Sequence, residues 1–177
     1  MTSTSFLRSS LAAGAEGDVI DAALGIASGS PLDRLRSERP EVRDRTQSSY
    51  TTLLDRPEPG SLSLAERLAI ALRIANVNAA SGLAKHYRER LALASNEALL
   101  RAIDDNLLGS LTPRLGAMVR HADLLTLEPS RASQSDLSLL AARGLSSSEI
   151  VTLSQIIAFV AYQARVVASL KLIAEVE

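Results

Sequence analysis

A chain of 177 residues with 46% hydrophobic side chains suits one ordinary domain with a sizeable core. Aromatic residues are only 3% of it, so Leu, Ile, Val and Ala must fill that core, which favours closely packed helices over sheets. A formal net charge of −1 offers no basic footprint for nucleic acid and little repulsion between copies, and the lack of any cysteine excludes disulfides, thiolate metal sites and thiol nucleophiles.

The missing cysteines fit a reducing, cytoplasmic setting. Residues 1–17 are rich in Ser and Ala, with Arg8 interrupting the only apolar stretch, and read as a tail rather than a secretory signal. Residues 18–177 read as a single helical domain. Val19, Ala22, Ala23 and Ile26 give a short amphipathic helix, and Ser30-Pro31-Leu32-Asp33 starts the next with a cap, a proline and a first-turn acid. A further helix over 40–55 is closed by the loop Pro57-Glu58-Pro59-Gly60.

Ser63 and Glu66 have capping-box spacing and open a long helical stretch from Leu64 to Leu93. Asn76 and Asn78 interrupt it, which predicts a break near Val77–Ala79 with Asn78 capping the second half. Helices over Glu97–Asn106, Pro113–Leu127 and Ser135–Arg143 follow, the last closed by Gly144. The final helix, Ser147 to about Ala174, begins with a second capping box, Ser146 and Glu149, and is apolar on too wide a face for one neighbour to cover. It therefore either lies at the centre of the domain or packs partly against another copy. Gln155, Gln163, Arg165 and Lys171 within it argue against a membrane span. The mixed clusters Asp33–Arg34, Arg43–Asp44–Arg45 and Arg88–Glu89–Arg90 read as solvated helix surface.

Generic motifs are sparse. His86 and His121 are the only histidines, too far apart and wrongly spaced for a metal site, and neither a phosphate loop nor a serine elbow occurs. His121 reads as a partly exposed helix residue beside Asp123.

The stretch Leu62-Ser63-Leu64-Ala65-Glu66-Arg67 through Asn76-Val77-Asn78-Ala79-Ala80-Ser81-Gly82-Leu83-Ala84-Lys85-His86 resembles the core segment of the AhpD-like, carboxymuconolactone decarboxylase superfamily. That family has an L-S-x-x-E-R helix start, an apolar helix and then C-x-x-C-x-x-x-H. Ala142-Arg143-Gly144-Leu145-Ser146 and Val151-Thr152-Leu153-Ser154-Gln155-Ile156-Ile157 resemble the closing helices of its peroxidase-related branch, in particular a cysteine-less subgroup. The likeness covers roughly residues 18–174.

The resemblance implies an all-α, AhpD-like multi-helix domain with a short helical prefix. It places the family's two cysteines at Ala79 and Gly82, and carries His86, with Glu66, over as the acid–base residues. Alanine and glycine form neither thiolate nor disulfide, so dithiol peroxidase chemistry is excluded. For Glu66 the capping box is the simpler role. Tyr87, Gln163 and Arg165 are candidates for a pocket or an interface. The leading expectation is a homo-oligomer, dimer or hexamer, that binds or assembles, with a cysteine-bearing relative as a further partner. The alternative is a cysteine-independent enzyme of decarboxylase type working through His86. Neither metal, cofactor, nucleic acid nor membrane is expected.

Overall fold

Leu68, Ala69, Ile70, Ala71, Leu72, Ile74 and Ala75 are consecutive or nearly so, yet all are at most 1% exposed, so the helix carrying them is enclosed on every side. This helix is the axis of the molecule in the computed structural model, which describes residues 17–55, 62–95 and 97–176. Its alternating alanines let neighbours approach all round. The predicted tail up to residue 16 and the Pro57–Gly60 loop lie outside the described residues.

The described residues form nine α-helices and no strand: α1 (Val19–Leu24), α2 (Pro31–Ser37), α3 (Pro40–Tyr50), α4 (Leu64–Val77), α5 (Ser81–Ala94), α6 (Glu97–Asp104), α7 (Pro113–Leu127), α8 (Gln134–Ala142) and α9 (Ser147–Val176). The central helix is α4. It forms an antiparallel hairpin with α5 and packs against α6, α7 and α9, while α1 lies across α5 and α9. The helix predicted over 40–55 is α-helical to Tyr50 and then continues as a π turn, Thr51–Asp55.

The caps follow local chemistry closely. Ser63 and Glu66 form the capping box in both directions, and Ser133 does the same with Asp136. Glu149 accepts from the Ser146 amide at 2.6 Å, and its own amide donates to the Ser146 hydroxyl. Gly144 closes α8 at φ 85°, a left-handed conformation that glycine adopts without strain. One cap differs from expectation. Asn78 ends α4 instead of starting α5: its amide Nδ2 donates to the Ile74 carbonyl at 2.8 Å, and α5 begins at Ala80 without a side-chain cap. The residue between, Ala79, turns the chain at φ 52°.

The charge clusters are not merely solvated surface. Arg36 pairs with Asp18 at 2.8 Å and also with Asp21, and Arg43 joins Asp21 to Asp33, so α1, α2 and α3 are tied by one ionic network. Arg88 grips Asp104 on α6 at 2.6 Å. These partners lie far apart in sequence, which is why local charge patterning does not reveal them. Asp123 likewise pairs with Arg73 and not with His121, which is buried.

α9 packs one side, including Leu153, Ile156, Ile157, Val160, Ala164 and Val167, into the core. Its opposite side is uncovered. By length and composition α9 could also cross a membrane, with 44% of the qualifying window buried in the fold.

Candidate functional site

His86 lies midway along α5, partly buried, with its ring between those of Tyr50 and Tyr87 at centroid distances of 5.5 and 5.2 Å. Its Nε2 is 2.8 Å from the Tyr50 hydroxyl. Arg90, one turn further along α5, donates to the same hydroxyl oxygen and pairs with Asp55 at 2.7 Å. A guanidinium can only donate, so the Tyr50 oxygen accepts from Arg90, while the direction of the Tyr50–His86 bond follows the imidazole tautomer.

The π turn explains how Tyr50 and Asp55 both reach Arg90. In an α-helix, residues five apart diverge by about two-fifths of a turn, whereas i→i+5 hydrogen bonding brings them nearly into line. Arg67, buried on α4, ties the same turn down by donating to the Leu53 carbonyl at 2.9 Å.

Burial is the main cause of the electrostatics here. It pushes His86 down to about 4, with Arg90 acting in the same direction and Asp55 partly opposing. Burial likewise raises the phenol of Tyr50, and that of Tyr87 much further. At neutral pH the imidazole is therefore unprotonated and both phenols keep their protons. With the imidazole lowered and the phenol raised, proton transfer from Tyr50 to His86 is strongly uphill, and none of these groups is an activated nucleophile.

The two positions aligned with the family's cysteines are unlike each other. Ala79 is exposed and left-handed. Gly82 sits directly beneath α1: a Cβ built on it would lie 1.9 Å from the Ala23 carbonyl oxygen and 2.8 Å from its carbon. Backbone occupies the space a thiol would need.

The remaining sequence candidates separate in space. Glu66 uses its carboxylate on Ser63 and on Arg114, at 3.0 Å, and none of its hydrogen bonds reaches His86. Arg114 continues to Glu149, whose carboxyl is held at about 2, first by the Ser146 amide and then by Arg114. Tyr87 and Gln163 are fully buried and bonded to each other, hydroxyl to Oε1, which joins α5 to α9. Arg165 is exposed and has no ion pair or hydrogen bond among the described residues. A cleft of about 470 Å³ over α7 and α8, lined in part by Arg120, Asp123, Leu139 and Arg143, includes none of the candidate site residues Glu66, Ala79, Gly82, His86, Tyr87, Gln163 and Arg165.

Tyr50, Asp55 and Arg90 were not legible as site residues. Two faint signals existed: Tyr50 is one of few aromatics, and Arg90 follows His86 by one helical turn.

The Tyr87–Gln163 bond has a testable asymmetry. Tyr87→Phe leaves the Gln163 carbonyl oxygen buried without its donor, beside an amide nitrogen that already lacks a partner among the described residues. It is expected to lower stability by about 1–3 kcal/mol in urea titration. Adding Gln163→Leu removes the second polar partner and should recover most of that loss.

An all-helical chain built on this α4–α5 hairpin has the AhpD-type architecture. It superposes on an uncharacterized peroxidase-related protein from Ralstonia eutropha JMP134, described as an alkylhydroperoxidase AhpD core, with TM-score 0.68 and 18% identity over 75% of this chain and 70% of that one. An uncharacterized peroxidase-related protein from Silicibacter sp. TM1040 matches with the same TM-score and 16% identity, over 84% of this chain and 88% of the other. No protein-family profile matches the chain, and no curated protein matches it in sequence. The resemblance read from the sequence is thus borne out at the level of the fold.

Proposed function

We propose that this protein is a redox-inactive form of the AhpD fold that acts as a homo-oligomeric binding or assembly component. The observation behind this reading is at Gly82: α1 covers the second thiol position so closely that no side chain fits there. The chain has retained the architecture and closed the reaction site. The uncovered side of α9 and a net charge near zero favour self-association. A cytoplasmic setting, and a cysteine-bearing relative of the same fold as partner, are consistent with that role. Light scattering with size exclusion is expected to give a dimer or hexamer, and a hydroperoxide assay with dithiol reductant no turnover. A monomer at micromolar concentration would defeat the assembly reading.

A second reading rests on the Tyr50–His86 pair. A neutral imidazole bonded to a phenol, with Arg90 behind it, could serve cysteine-independent acid–base chemistry of the decarboxylase type on a small lactone or keto acid. Such compounds should then raise the melting temperature of the wild type and not of His86→Ala, since a ligand bound only to the folded state stabilises it. No shift in either protein removes this reading.

A further inference from the structure

The uncovered side of α9 has a spacing of its own. Up to Arg165 the exposed residues of α9 beyond Ile150 step by four and three, Val151, Gln155, Ala158, Tyr162 and Arg165, and the same spacing continues through Ser169, Leu172 and Val176 within a last stretch where Ala168, Lys171, Ile173, Ala174 and Glu175 are exposed as well. This is the seam pattern of a two-helix coiled coil, about 38 Å long, on a helix whose other side already serves the core. Val151, Tyr162, Leu172 and Val176 on it are 57, 38, 64 and 89% exposed, an apolar row along one helix face. No acid lies on the stripe. Its one cation, Arg165, has no partner among the described residues, and the nearest aromatic ring on the stripe is Tyr162, one turn back.

The order of these residues distinguishes the ways a second copy could seat. In parallel pairing, Arg165 would oppose Arg165, placing like charges together at the centre. In antiparallel pairing about the midpoint of the stripe, the four–three pattern maps onto itself. Tyr162 then faces Arg165, Ala158 faces Ser169, and Gln155 faces Leu172. Each guanidinium meets the other copy's aromatic ring, and the small Ala158–Ser169 pairs on either side let the helices approach.

We infer that α9 is the interface for a second copy of this chain, in an antiparallel, two-fold arrangement with Arg165 of each copy on Tyr162 of the other. The inference rests on the self-association proposed above and specifies its surface and register.

The cysteine-free sequence makes a direct test possible. Gln155→Cys and Leu172→Cys are each made singly, then co-expressed, and oxidised with copper–phenanthroline; linked dimers are read on non-reducing gels. Thiols bridge only where the backbones come within about 7 Å. The expected result is a linked dimer in the co-expressed pair and none with either variant alone. Linkage of either variant alone would mean a parallel arrangement and overturn the inference. An oligomer by light scattering with no linkage in any sample would overturn this interface while leaving the assembly reading intact. A monomer would end both, and a monomer that floats with phosphatidylcholine–phosphatidylglycerol vesicles would reassign the stripe to a lipid surface. Tyr162 also bonds Thr46 at 3.2 Å and packs on Phe159, so the clean variant is Arg165→Ala, whose side chain is exposed; it should fold normally and raise the dimer dissociation constant by about tenfold. Unchanged dissociation in Arg165→Ala would contradict the central pairing.

Discussion

Gly82→Ala is expected to cost about 3 kcal/mol of folding stability, the upper end for adding one methyl group to a packed interior. The reason is the identity of the obstacle. The added carbon would meet the Ala23 carbonyl at 1.9 Å, and a backbone group cannot rotate aside as a side chain can. Relief requires α1 to lift from α5, which would strain the Asp18–Arg36 and Asp21–Arg43 ties that hold α1 to α2 and α3. Three residues earlier the sign reverses. Ala79 holds φ 52°, where glycine is unstrained, so Ala79→Gly should gain about 0.5–1 kcal/mol. Urea titrations of the two variants measure both. The functional consequence follows from the same contact: Ala79→Cys with Gly82→Cys restores the family's dithiol spacing, yet should yield a destabilised protein without hydroperoxide turnover. A double variant of native stability with a reducible disulfide would show that α1 yields readily, and the reading of a closed site would fail.

Acidification should weaken the fold well above the range where carboxylates titrate. His86 has an ordinary value of 6.5 when unfolded and about 4 in the folded protein, so between these limits the unfolded chain binds a proton that the folded one does not. Stability is therefore complete above pH 6.5, falls as pH drops toward 4, and stops falling from this cause below it. At 1.36 kcal/mol per pH unit the loss reaches up to about 3 kcal/mol. Glu149 acts in a separate window: its depressed carboxyl contributes above 4.5 and is lost only as pH falls toward 2. Stability measured from pH 7.5 to 4 should slope in the wild type and much less in His86→Leu. Slope left in the variant between pH 7.5 and 5 reports on buried His121, whose value is lowered in the same direction by burial, while nearer pH 4 the lowered carboxylates Asp104 and Glu149 begin to contribute. Equal slopes in both proteins would place His86 in contact with solvent and remove the basis for a neutral imidazole.

Helix positions were legible because their causes are local. A serine three residues before an acid, a proline at the first helical position and a glycine at the end each act within one turn, and Ser63, Ser133, Ser146 and Gly144 all perform as their neighbours dictate. Asn78 was misjudged because the same amide that can cap a helix start can also donate to the carbonyls ending the previous one, and local sequence does not choose between them. The absence of cysteine settled, without any structure, that thiol chemistry is impossible here.

Other features depended on distance in space. Glu66 and His86 align with one family's motif, but Glu66 turns to Ser63 and Arg114, and the groups that surround His86 come from Tyr50, Asp55 and Arg90. The apolar breadth of α9 was evident in the sequence, whereas α4 proved to be the helix enclosed on all sides, since only packing reveals which apolar helix neighbours surround. Gly82 makes the same point most directly. Its lack of a side chain was plain from the sequence. That the vacated space belongs to the backbone of α1 was decided by tertiary structure alone, because two helices about sixty residues apart in sequence but adjacent in space compete for one volume that no local pattern records.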